Sequence, residues 1–168
     1  CANAAFIGGG DDNVVTNNVF VGARSAVHID VRGMTKRSAN KETLMRRLAE
    51  VPYQSDVWRQ RYPMLAMVLE DEMGIPKRNL IATNISAGGI WDDINRMARQ
   101  FQTIADNLVY DDDPEWIKVV KDGAGKPIKL LFKDADAVAA IGFEALPLER
   151  MGVYEDVRSA SWPVHHET

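Results

Sequence analysis

The sequence predicts an all-β solenoid, in which short apolar strands separated by polar corners stack so that each coil covers the open face of the one before. Three observations carry it. First, one pattern recurs in Asn13–Val21, Asn79–Ala87 and Gln102–Tyr110: a β-branched residue (Val15, Ile81 or Ile104) stands three places before an asparagine, and a second strand-like stretch follows. Second, those asparagines keep a period: 23 residues separate Asn84 from Asn107, and 66 separate Asn18 from Asn84, one such repeat plus 43 extra residues. Third, Ala5-Phe6-Ile7-Gly8 matches Val27-His28-Ile29-Asp30 at a spacing of 22. Asparagine suits a corner because it tolerates left-handed backbone angles and can bond its neighbours above and below. The competing arrangement is an ordinary sandwich whose strands turn at the Asn-Asn pairs.

The elements follow in order. Residues 1–33 read as solenoid rungs, entered on a strand already under way at Cys1-Ala2-Asn3-Ala4-Ala5-Phe6-Ile7. Residues 34–76 hold the extra length and read as a helical insertion. Asn40 is a candidate N-cap for a helix through Val51, with Leu44, Leu48 and Val51 on one face and Pro52 as the stop. Pro63 suits the first turn of a second helix through Glu70, ended by Gly74 and Pro76. Residues 77–110 return to rungs. Residues 111–168 read as an irregular C-terminal cap: a turn at Asp111-Asp112-Asp113-Pro114, a loop over 121–126, a strand over 128–132, a helix over 134–141 ended by Gly142, and a helical turn over 147–151.

Composition narrows the function. The 168 residues are 46% apolar and 26% charged, enough for a packed core, and the net charge of −4 comes without a basic tract that would hold nucleic acid. A single cysteine excludes an intrachain disulfide and a cysteine-based zinc site. No apolar run approaches the ~18 residues of a membrane span. Gly8-Gly9-Gly10 lacks the following Lys-Ser/Thr of a phosphate loop.

Val19-Phe20-Val21 and Ala26-Val27-His28-Ile29-Asp30-Val31-Arg32-Gly33 resemble a core rung of right-handed parallel β-helix repeat proteins. Val51-Pro52-Tyr53-Gln54, Trp58, Arg61-Tyr62-Pro63, Leu69-Glu70-Asp71 and Pro76-Lys77-Arg78-Asn79 resemble the helical insertion of one bacterial subgroup. Ile141-Gly142-Phe143-Glu144, Pro147, Arg150-Met151-Gly152-Val153-Tyr154 and Ser161-Trp162-Pro163 resemble its C-terminal signature. Members are typically large and secreted, and are either carbohydrate-active or known simply as β-helix proteins. The resemblance implies the C-terminal part of a longer secreted or periplasmic protein, with further rungs upstream. It also implies a polysaccharide or oligosaccharide as partner, met by a glycoside hydrolase, a polysaccharide lyase, or a non-catalytic glycan-binding or scaffold protein.

The residues that carry such chemistry lie on one stripe. If Val27, Ile29 and Val31 face inward, then His28, Asp30 and Arg32 face outward. Gly8, stacked beside Asp30, would leave an open floor for a sugar ring. The next rung brings Asp92 and Asp93, one of which would pair with Asp30 at a glycosidase's carboxylate separation. Trp91 is either a stacking platform or core. In a lyase Arg32 would neutralise a uronate carboxylate and His28 would take the proton. The candidates are therefore Asp30, His28, Asp92 and Asp93 for catalysis and Arg32 and Trp91 for substrate binding. No cofactor is required; calcium is possible, and Asp111, Asp112 and Asp113 provide three consecutive carboxylates, though a capped turn explains them better. His165-His166-Glu167 reads as a solvated end.

Overall fold

The computed structural model describes residues 2–34 and 41–151. In chain order the strands are β1 (Asn3–Ile7), β2 (Val14–Thr16), β3 (Val19–Val21), β4 (Ser25–Ile29), β5 (Leu80–Ala82), β6 (Ile85–Ala87), β7 (Asp92–Ile94), β8 (Thr103–Ala105), β9 (Leu108–Tyr110), β10 (Ile117–Lys121) and β11 (Pro127–Phe132). The α-helices are α1 (Lys41–Ala49), α2 (Asp56–Arg61), α3 (Pro63–Ala66), α4 (Arg96–Arg99) and α5 (Ala135–Ala140). Short 3-10 turns occur at Arg32–Met34, Pro114–Trp116 and Leu148–Arg150.

The all-β solenoid is overturned, and with it the right-handed parallel β-helix class. The described residues form three separate three-stranded parallel sheets, β1-β4-β7, β2-β5-β8 and β3-β6-β9, with one antiparallel pair, β10-β11. Among the described residues no sheet closes, four α-helices interrupt the strands, and a fifth follows the last of them. Most of the parallel strands are three residues long, too short to build a continuous wall, and the chain between them follows helical and turn signals instead.

The repeat does reach the register. Ala5 pairs with Val27, Phe6 with His28 and Ile7 with Ile29, the alignment at a spacing of 22. Val15, Ile81 and Ile104 stand side by side across β2, β5 and β8. Their burial differs with position: Ile81 in the middle strand is fully buried, as are Val27, Ile29 and Ile85, each contributing about 1.5–3 kcal/mol through the hydrophobic effect.

The asparagines stack, but not as the residues that turn the corner. The left-handed backbone belongs to the residue before each: Asn17, Thr83 and Asp106, with φ of 57°, 54° and 52°. This frees Asn18, Asn84 and Asn107 to form a ladder. Asn18 donates its backbone N–H and its Nδ2 to Asn84 Oδ1, at 3.1 and 2.9 Å. Asn84 does the same to Asn107 Oδ1, both at 3.0 Å. A second ladder runs five residues earlier: Asn13 donates N–H and Nδ2 to Asn79 Oδ1, both at 2.8 Å, and Asn79 Nδ2 donates to Gln102 Oε1 at 2.7 Å. Asn79 and Asn84 are fully buried, so these bonds meet the requirement that buried amides be satisfied.

The excursion between β4 and β5 is helical, with boundaries unlike those expected. The first helix runs over Lys41–Ala49, and its proposed cap Asn40 lies outside the described residues. The helix opened by Pro63 stops at Ala66, well short of Glu70, and α2 precedes it. Where the chain returns, the Lys77 ammonium is nearly buried and meets Asp71 and Glu72 at 2.8 and 2.9 Å, over the Phe101 ring at 5.0 Å. Arg78 reaches Asp11, Asp12 and Asp71, tying the return to the loop before β2.

After β9, buried Trp116 stacks on Tyr110 at 4.0 Å between centroids, and Ile117 and Val138 pack with Ile85 and Ala87 into a second core. Asp134 caps α5 by accepting from Ala137 N–H, and Gly142 leaves the helix at φ 72°. The signature residues Gly152, Val153, Tyr154, Ser161, Trp162 and Pro163, and His165-His166-Glu167, lie outside the described residues. Among the described residues no helix is long and apolar enough to cross a membrane.

Candidate functional site

The outward face of the β1-β4-β7 sheet gathers most of the titratable candidates. Strand alternation buries Val27 and Ile29 and turns His28 out. Register then aligns Phe6, His28 and Asp93 in a row across the three strands. The Phe6 and His28 rings stack with centroids 5.0 Å apart and planes 15° from parallel. On the other side, His28 Nδ1 lies 2.9 Å from Asp93 Oδ2. His28 Nε2 lies 3.9 Å from Asp30 Oδ2.

Asp30 sits just past the end of β4, where Arg32 folds back on it. Arg32 donates its backbone N–H to Asp30 Oδ1 at 3.1 Å, and its Nε and Nη2 to the same carboxylate at 3.0 and 2.8 Å. The Arg32 side chain, through these bonds, holds the Asp30 carboxyl below its ordinary value, against the smaller upward push of desolvation. The Arg32 guanidinium also lies 4.5 Å from the centre of the Phe6 ring.

Three expectations about this face need correction. The floor beside Gly8 is not open: a Cβ there would stand 2.6 Å from Arg32 Cζ, so glycine makes room for the guanidinium rather than for a sugar. The carboxylate facing this row is Asp93, and it neighbours His28 instead of Asp30. Asp92 stands opposite Val27 and is held by Arg99, at 2.7 and 3.1 Å. Trp91 belongs to the core: its ring packs with the first cluster and tilts against Phe20 at 6.5 Å.

Asp111, Asp112 and Asp113 do not converge. Asp111 accepts from Trp91 N–H at 3.2 Å, whereas Asp113 caps the turn at Pro114 and pairs with Lys133 at 2.6 Å. The capped turn is the arrangement found. Among the described residues no group of three or more His, Cys, Asp or Glu side chains is placed to hold a metal ion.

A cleft of about 380 Å³ opens beside His28 and is lined by Ala2, Asn3, Arg24, Ser25, His28, Ile90, Asp92 and Asp93. Arg24 is the residue that sequence reasoning missed. It is exposed, and no acidic group among the described residues pairs with it. Its signal was weak: it falls in the corner before β4, and only the register shows that this corner borders the His28–Asp93 pair.

No protein-family model, no curated protein and no solved structure matches the chain.

Proposed function

We propose that the outward face of the β1-β4-β7 sheet binds a glycan and leaves its glycosidic bonds intact. The observation that carries this reading is the pairing of the carboxylates: Arg32 grips Asp30 and Arg99 grips Asp92. A glycoside hydrolase needs one carboxyl kept protonated as its acid, whereas Arg32 drives Asp30 the other way. A lyase needs a cation turned toward the uronate, and the Arg32 fork already engages Asp30.

What remains suits recognition. Asp93, 70% exposed, accepts hydrogen bonds from sugar hydroxyls, and Arg24 donates to ring or carboxylate oxygens. Exposed Ile90 and Phe6 offer apolar surface to the C–H face of a ring. One observation favours a second reading: Asp93 orients the His28 imidazole as it would orient a general base, which keeps an enzyme in contention.

The test titrates neutral and uronate oligosaccharides against the protein, following the Arg24 and His28 side-chain signals by NMR. Reducing ends and the ultraviolet absorbance of unsaturated uronate are followed in parallel. Binding without either chemical signal supports the proposal, and Arg24→Ala then weakens it about tenfold or more. Both chemical signals rising together would mean a lyase with His28 as base. Reducing ends alone would mean a hydrolase, and no binding to any glycan would overturn the reading.

A further inference from the structure

A second concavity lies between the loop after β1 and the helical excursion. Its volume is about 360 Å³, toward the small end of the about 300–1,000 Å³ typical of small-molecule sites. One wall is the Gly8-Gly9-Gly10 loop, which contributes no side chains. Other walls come from the excursion: Leu44 of α1, Val68 just past α3, and Met73 and Ile75 where the chain returns. These four apolar side chains are only half-buried, although they border a common space. Three charged side chains also border it, and each is already engaged. Asp71 accepts from Lys77 on one oxygen at 2.8 Å and from Arg78 on the other at 2.7 Å. Asp11 accepts from the Lys77 backbone N–H at 2.8 Å and from Arg78 at 2.9 Å. Arg32 grips Asp30.

We infer that this cavity is a binding site for an uncharged small molecule with a compact apolar body. Such an occupant takes from water the surface of Leu44, Val68, Met73 and Ile75 that the fold leaves half-covered. A charged occupant gives up its hydration and finds no spare counter-charge, because bonding to Asp11, Arg32 or Asp71 means breaking a pair already made. The space is also held open. Arg78 bonds Asp11 of the loop before β2 and Asp71 of the excursion, at 2.9 and 2.7 Å, so it braces two of the walls against each other. A preformed cavity spares the ligand the cost of ordering the chain around it. The inference goes beyond the glycan reading and does not rest on it: the cavity and the His28 cleft share no lining residue.

The probes are N-phenyl-1-naphthylamine, which is uncharged, and its 8-sulfonate, which carries the same rings and one negative charge. Each is titrated against the full chain by fluorescence, with the side-chain methyl signals followed by NMR. The uncharged dye is expected to shift the Leu44 and Val68 methyls, and the sulfonate to bind there about tenfold more weakly or worse. Val68→Phe and Leu44→Phe fill the space from different walls, and each should weaken the uncharged dye about tenfold or more. Thermal unfolding identifies the folded variants, and using two walls keeps the test decisive if one variant fails to fold. Val57→Phe, at a 73% exposed position outside the cavity, should leave binding unchanged. Unmoved Leu44 and Val68 methyls, equal affinity for the two dyes, or full binding to a folded filling variant overturns the inference. Shifts confined to Met34 and Leu69 also overturn it, by placing the dye in the neighbouring groove that those two line.

Discussion

Gly33 and Gly74 meet backbone to backbone, with no side chain between them: a Cβ on Gly33 would stand 2.7 Å from Gly74 Cα, and one on Gly74 would stand 3.1 Å from the Gly33 carbonyl carbon. Gly33 lies just after β4 and Gly74 shortly before β5, so this contact closes the neck of the helical excursion. Gly33→Ala should destabilise the fold by about 1–3 kcal/mol, since the opposing atoms are backbone and cannot swing aside. Gly74→Ala should cost at least as much, because the position also holds φ at 98°. Gly123→Ala, with nothing within 4 Å of the added Cβ, serves as the control and should fall within about 0.5 kcal/mol of the parent. Chemical denaturation of the three variants measures this; equal midpoints for Gly33→Ala and the control would show that the neck yields freely.

The inner and outer asparagines of one ladder should differ sharply in cost. Asn84→Ala removes the acceptor used by the Asn18 N–H and leaves the Val15 carbonyl without its amide donor, all around a fully buried position. A loss of about 2–4 kcal/mol is expected, from buried groups left unpaired at about 1–3 kcal/mol each. Asn18→Ala leaves its own backbone N–H on Asn84 Oδ1 and deletes only a half-buried side chain. It should cost under about 1 kcal/mol. Thermal or denaturant unfolding of the pair decides the point, and a reversed order would mean that the ladder's weight lies at its open end.

These asparagines also show how far the sequence could be read. The intervals between residues 18, 84 and 107 were legible because stacked positions repeat the same side chain, and the register follows them. The Asn13–Asn79–Gln102 ladder was hidden because glutamine replaces asparagine in its last place. The overall class was misread for a physical reason: a period gives register, but it says nothing of whether three-residue strands join into one wall or remain separate sheets. In the site, strand alternation turned His28 outward, whereas the Asp30–Arg32 pair was not legible, because both residues lie past the end of β4, where a turn folds Arg32 back. Which of Asp92 and Asp93 faced His28 was not legible, because the Gly88-Gly89 corner shifts the alignment before β7. Arg24 lay outside any pattern, since Ile90, Asp92 and Asp93 of its cleft come from 66 or more residues further along the chain.

The Lys77 cluster should shape stability at both ends of the pH scale. Lys77, followed by Arg78, hydrogen-bonds Asp71 and holds its carboxyl below the ordinary 3.8. A depressed carboxyl contributes stability that is complete above the unfolded value and lost as pH falls through the folded one. Burial pulls the Lys77 ammonium down, but the bonds to Asp71 and Glu72 outweigh it, and its value ends above the ordinary 10.5. That contribution is complete below 10.5 and lost as pH rises through the higher folded value. Asp71→Asn should therefore flatten the acid limb of a stability–pH curve, below about pH 4. It should also bring the alkaline loss to lower pH, because Lys77 keeps the residue 71 backbone carbonyl but only one carboxylate, Glu72. Denaturant midpoints across the range measure both limbs; an unchanged alkaline limb would mean that Glu72 and the residue 71 carbonyl sustain the ammonium without the Asp71 carboxylate.

The His28–Asp93 contact fixes where the imidazole proton sits when the ring is neutral. Asp93 as carboxylate only accepts, so at 2.9 Å the proton is placed on Nδ1 and the lone pair on Nε2. Phe6 stacked on the ring at 5.0 Å holds its plane and lets the preference persist although Asp93 is well exposed. Long-range 15N–1H correlation spectra of the neutral protein should show the Nδ1–H form in the majority, whereas an isolated histidine favours Nε2–H. Asp93→Asn can still accept through its carbonyl oxygen and should keep part of the preference; Asp93→Ala should abolish it while the chain stays folded. A dominant Nε2–H form in the parent would show that the Asp93 contact does not persist in solution. It would also remove the oriented imidazole on which the enzymatic alternative depends, while leaving the glycan-binding reading to stand on Arg24 and the exposed Asp93 carboxylate.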